Sequence, residues 1–183
     1  MTMWNWLKRK PQRKKVEIPS CGTILIGAQV IAETVSALRR SGTPGQSHEG
    51  VAYWAGRRLG PDAVVTTCIA PAAETTFGSF ATSSSTNAKV VMFLAREGLE
   101  LLGQVHSHPG RFVDHSDGDN ERALMPYEGF LSIVVPNYGQ GGMQPLTHCG
   151  IHLFEGGAFR RLKSPEVESR FRIVSHFADL RNQ

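Results

Sequence analysis

The run Gly129–Val135 (GFLSIVV) constrains the fold of this chain most. It is continuously apolar over a strand's length, so both alternating faces must be covered, which places it centrally in a sheet with layers on either side. Other strand-like runs surround it. Glu49–Arg58 and Asp62–Ile69 form two strands joined at Leu59–Gly60–Pro61, and Leu99–His108 forms another that Pro109–Gly110 ends. Leu146–Phe154 and Ala158–Leu162 make a hairpin around Glu155–Gly156–Gly157, and Val16–Ile26 is a strand interrupted by Pro19 and Gly22. Between them, Val30, Ile31, Val35 and Leu38 recur at close to helical spacing over Gln29–Arg40, and Thr86–Arg96 is a second helix stopped by Gly98. A short helix opens at Ser116 and is closed by Pro126. The predicted class is therefore α/β, a central mixed β-sheet flanked by helices. Residues 41–47 are loop chemistry, 71–85 a long flexible connection, and 137–142 a flexible loop. From Pro165 onward, helical and extended readings stay open.

The 183 residues suit one domain, and a chain of this length hides roughly 70% of the surface its unfolded form exposes, enough for a core without staples. Three distant cysteines exclude a disulfide framework and a four-cysteine zinc site; Cys21 and Cys68 read as core thiols. The net charge of +4 belongs to residues 1–15, which hold six basic residues and no acid; the remainder carries 14 basic against 16 acidic residues. The division is thus a basic tail (1–15) and a folded domain (16–183). A frayed terminus is the default for such a tail, with nucleic acid, anionic lipid or an acidic partner as the functional alternatives. A nucleic-acid-binding domain would spread its basic residues over the folded face, so nucleic acid is not the expected partner. No run approaches the 18 or so apolar residues of a membrane span and the start lacks an apolar signal core, so the expected location is cytoplasmic.

The chemistry is concentrated in QVHSHPGRFVDHSDGDNE, residues 104–121. His106 and His108 lie two apart at the end of a strand, so both imidazoles project to one side and can bind one ion. Ser116 and Asp119 have the spacing of a helix start, with Ser116 as N-cap and Asp119 near the third helical position. Two imidazoles and a carboxylate form a set that zinc accepts while leaving a fourth position open, which distinguishes a catalytic from a structural site. Asp114, His115 and Asp117 are spare polar groups in the same loop. In THCGIH (147–152), His148 and His152 share a strand face but stand about 13 Å apart, too far for one ion, and Cys149 points away. Of Tyr53 and Trp54, one packs inward and the other is free to line the cleft.

HSHPGRFVDHSDGD resembles the His-x-His-(seven residues)-Ser-x-x-Asp pattern of the JAMM metalloproteases, also called JAB or MPN+ domains. The order of elements over residues 16–162 is similar as well. The resemblance implies a single JAB/MPN-type domain in which His106, His108 and Asp119 bind Zn²⁺. It implies Glu49 as general acid and base and Ser116 as donor to the oxyanion. Where bacterial members often carry a Cys–Gly pair just after the glutamate region, this chain has Gly50–Val51–Ala52–Tyr53. The implied reaction is hydrolysis of an amide after the C-terminal glycine of a ubiquitin-like protein, with E1- or E2-like proteins as possible operon partners. Related domains acting on peptidoglycan or associated with DNA repair, and scaffolds without the ligands, are the alternatives.

Overall fold

The computed structural model describes residues 22–175 apart from 44 and 122. The basic tail, Cys21 and the first part of the strand expected over 16–26 lie outside the described residues. β1 (Ile24–Gly27) runs straight into α1 (Ala28–Arg39), and β2 (Gly42–Thr43) and β3 (Gln46–Ser47) make a small ribbon. β4 (Val51–Leu59) and β5 (Asp62–Ile69) form a long hairpin, and β6 (Glu74–Thr76) and β7 (Ser79–Ala81) a short one ahead of α2 (Ser84–Glu97). Then follow β8 (Glu100–Ser107), α3 (Asp117–Glu121), β9 (Leu131–Val135), β10 (Gly150–Glu155), β11 (Ala158–Arg161), α4 (Ser164–Arg170) and β12 (Phe171–Val174).

Eight strands form one sheet in the order β11-β10-β9-β8-β4-β5-β1-β12. The pairs β8–β9, β1–β5 and β1–β12 are parallel and the others antiparallel, so the sheet is mixed, as expected. All five residues of β9 are buried, as its apolar run requires. α1 buries Val30, Ile31, Thr34, Ala37 and Leu38, one stripe at helical spacing. That stripe meets Ile26, Trp54, Val105, Ile133 and Ile151 on one face of the sheet. α2 starts where the Ser83 side chain accepts from the Thr86 amide and stops at left-handed Gly98 (φ 62°), which a glycine adopts without Cβ strain. Val90 and Leu94 of α2 cover the opposite face with Tyr53, Phe80, Leu101 and Phe130.

Covering both faces settles the two aromatic residues of β4. Trp54 and Tyr53 are both buried, in the α1 and α2 layers respectively, so neither is an exposed wall of a cleft. Trp54 Nε1 donates to Thr34 Oγ1 at 2.9 Å, satisfying the indole inside the core. The connection over 71–85 is more ordered than its small-residue composition suggests. The β6–β7 hairpin is held because the Glu49 amide donates to the Thr76 carbonyl at 2.9 Å and Phe80 is buried in the α2 layer. Beyond Pro165 the chain is helical and then extended, and β12 pairs with β1.

Candidate metal centre

β8 carries His106 between two neighbours, with Val51 of β4 on one side and Val134 of β9 on the other, and His108 follows one residue past its end. Just past the strand, the His108 amide donates to the Val135 carbonyl at 2.9 Å, and the His108 carbonyl accepts from the Tyr138 amide at 2.8 Å. Asp119 is the third residue of α3, the position its spacing from Ser116 predicts. Its Oδ2 accepts from both the amide and the hydroxyl of Ser116, at 2.7 and 2.8 Å. The amide contact is the half of a capping box in which the third helical residue reaches back to the N-cap. The serine hydroxyl donates to Asp119 instead of accepting a helix amide.

His106, His108 and Asp119 are all buried, with ligand atoms within 4.8 Å of one another, and form the one such group found among the described residues. His106 Nε2 lies 3.2 Å from His108 Nε2 and 3.2 Å from Asp119 Oδ1, and His108 Nε2 lies 3.3 Å from Asp119 Oδ2. Around an ion with bonds of about 2.0–2.1 Å, tetrahedral ligands stand about 3.3 Å apart. The two imidazole nitrogens stand at about that spacing from each other, and each stands at about that spacing from one carboxylate oxygen, Oδ1 for His106 and Oδ2 for His108. His108 Nδ1 donates to the Phe112 carbonyl at 3.0 Å, which leaves the Nε2 lone pair aimed at the centre.

The electrostatics of these three side chains match a cation's seat. Burial works against the Asp119 charge, yet hydrogen bonds and charge from His106 and His108 hold its carboxyl far below the usual carboxylate range. Burial pushes His106 down. Burial also opposes the charged form of His108, but Asp119 and then Glu49 overcome it and raise that imidazole. Burial thus disfavours the charged form of the more enclosed imidazole, while the neighbouring carboxylates favour it on the less enclosed one.

Glu49 lies two residues ahead of β4 and is buried. It lines a cleft of about 230 Å³ with Gly78, His108, Pro109, Gly110, Phe112, Ser116 and Asp119. All five residues singled out from the sequence thus converge, four of them as walls of this cleft and His106 beneath it.

The remaining loop groups separate. Asp114 pairs with Arg161 on the surface, and the side chain of Asp117 lies outside the described ones. His148 sits in a single 3-10 turn, and Cys149 is a core thiol pushed up to about 12 by burial. Cys68 is half-buried and packs against the core. Sequence reasoning missed a polar row across the sheet. Register places Tyr53, Gln104, Ser132 and His152 side by side on β4, β8, β9 and β10, on the α2 face. Gln104 Oε1 accepts from the Leu124 amide at 3.3 Å, and His115 Nε2 lies 2.8 Å from Ser132 Oγ. The sequence signal was Gln104 and Ser132, polar residues inside strands otherwise apolar.

A "Probable metalloprotease y4jG" of Sinorhizobium fredii is 32% identical over 122 residues, which span 64% of this chain and 74% of that protein. The solution structure of protein DSY2949 from Desulfitobacterium hafniense shares the fold, with a TM-score of 0.61 at 17% identity, covering 84% of this chain and 94% of that one. No family model matches the sequence. No helix among the described residues is long and apolar enough to cross a membrane.

Proposed function

The chain belongs to the metalloprotease family that y4jG represents, and we propose that it is a zinc peptidase of the JAMM type acting after the C-terminal glycine of a ubiquitin-like protein. One observation carries the metal-dependent chemistry: three buried donor groups converge within 4.8 Å of one another, with a buried carboxylate, Glu49, beside them in the cleft. A zinc ion held by His106, His108 and Asp119 would supply Lewis acidity and acidify a water to near neutral pH. Glu49 takes the proton released there and returns it to the leaving amine, the double role that a general acid and base plays. Ser116, whose one hydroxyl proton goes to Asp119 Oδ2 in the structure, turns from that carboxylate to donate to the oxyanion that forms at the attacked carbonyl. The Phe112 carbonyl holds the His108 tautomer, and the β8 register keeps both imidazoles on one side.

Three features support the substrate. The motif and the element order resemble isopeptidases of this type. The cleft is bordered by backbone at Gly78 and Gly110, where an added Cβ would meet nothing within 4 Å, so a slender chain can pass. The adjoining β6–β7 hairpin is separate from the main sheet and offers an edge to which an extended Gly-Gly tail can add as a strand. E1- and E2-like proteins are the partners this reading implies. The reading is tested by incubating the protein with a ubiquitin-like fusion and Zn²⁺. Wild type should cleave after the terminal glycine, chelation should stop it, and Glu49→Gln should cut kcat by about 10²–10⁴-fold. Equal cleavage by wild type and Glu49→Gln would remove Glu49 from the mechanism, and no cleavage of any such fusion would remove the substrate.

A further inference from the structure

We infer that His115 is the positioning residue that holds Asp119 against the two ligand imidazoles, by tying α3 to the central strand β9. The inference rests on the metal reading above, because it concerns how the third ligand is held. His106 is fixed by a strand paired on both sides, and His108, one residue past its end, by backbone bonds to Val135 and Tyr138. Asp119 sits instead on a helix of five residues, too short to be stable by itself, between stretches without regular structure. The Ser116–Asp119 contacts are internal to that turn and cannot locate it relative to β8.

His115 can. Its Nδ1 lies 2.9 Å from Asn120 Oδ1 and its Nε2 lies 2.8 Å from Ser132 Oγ. Asn120 Oδ1 can only accept, so Nδ1 carries the proton and Nε2 accepts from the serine hydroxyl. The ring stacks on His152 at 3.8 Å and 24° and meets Phe159 edge-on at 4.9 Å, which fixes its plane. Ser132 has no exposure and sits in β9 opposite Gln104 of β8. Asn120 directly follows Asp119 in the chain. Two hydrogen bonds and one peptide unit therefore join the strand beside the histidines to the carboxylate that completes the set.

Supports of this kind change metal affinity by about 10–100-fold. The test uses His115→Phe, which keeps a ring over His152 and loses both hydrogen bonds, together with Ser132→Ala and the double variant. Zinc affinity is read by competition with a chromophoric chelator, and the melting midpoint is read on metal-free protein. His115→Phe should bind zinc about 10–100-fold more weakly, and Ser132→Ala less severely in the same direction. The double variant should be no weaker than His115→Phe, since the hydroxyl acts through the imidazole. Wild-type affinity in both single variants overturns the inference, as does a lowered metal-free midpoint with affinity unchanged. Should His115→Phe not fold, Ser132→Ala decides alone. A wild-type protein that binds no zinc would overturn the metal reading itself and this inference with it, whereas failure to cleave a ubiquitin-like fusion leaves the affinity result standing.

Discussion

Replacing Gly150 by alanine should weaken the metal centre from a distance. Gly150 opens β10, and the loop leading to α3 lies directly on its backbone. An added Cβ would stand 1.7 Å from the Val113 carbonyl oxygen and 2.8 Å from its carbonyl carbon. Ordinary contact begins near 3.4 Å, so loop and strand must part by about 1.7 Å. β10 is paired with β9 on one side and β11 on the other, which leaves the loop as the part that moves. Five residues separate Val113 from Asp119, and Asp114 and His115 among them are tied to Arg161 and Ser132. Metal–ligand distances tolerate only about 0.2 Å, so even a fraction of that displacement reaching Asp119 spoils its coordination. The expected loss is about 100-fold in zinc affinity, with about 1–3 kcal/mol of overpacking cost to the metal-free fold. Chelator competition measures the first and urea denaturation the second. Gly141→Ala, where a Cβ meets nothing within 4 Å, is the control. Wild-type zinc affinity in Gly150→Ala would refute the argument.

Two further outcomes concern stability. Burial, and then the neighbouring His115, pushes His152 down to about 4 from the ordinary 6.5. Between those values the unfolded chain binds the extra proton, so the His152 contribution is complete above pH 6.5 and is lost as the pH falls toward 4. The stability of wild type relative to His152→Gln, measured by urea denaturation in the same metal state, should therefore drop by roughly 2–3 kcal/mol between pH 7 and pH 4; a difference independent of pH would count against a buried neutral His152. Trp54→Phe removes the bond from Nε1 to the buried Thr34 hydroxyl and should cost about 1–3 kcal/mol in the same assay, whereas an unchanged midpoint would mean the core supplies another partner.

Most of the layer structure was legible because it depends on local periodicity. The apolar run at 129–135 is β9, and the α1 stripe lies where its spacing puts it. The clustering of the candidate ligands was legible for the same reason: His106 and His108 lie two apart at the end of β8, and Ser116 and Asp119 share a helix start. What escaped depends on contacts between residues far apart in sequence. His115 meets Ser132 and His152 only because β9 and β10 are neighbours, and Gly150 is needed only because Val113 lies on it. The β6–β7 hairpin escaped because Thr, Ser and Gly in 71–85 give no strong strand signal. The order there comes from Phe80 and the Glu49 amide, not from local preference.

His106 has no exposure, and the ring of Phe80 packs against it at 5.3 Å, so the β6–β7 hairpin covers that imidazole. On the proposed reading, the cleft that Glu49 and Phe112 line would serve two kinds of traffic, loading of the cation and arrival of the peptide. A peptide seated in that doorway would then shield the ion from chelators, and a chelator molecule within it would keep the peptide out.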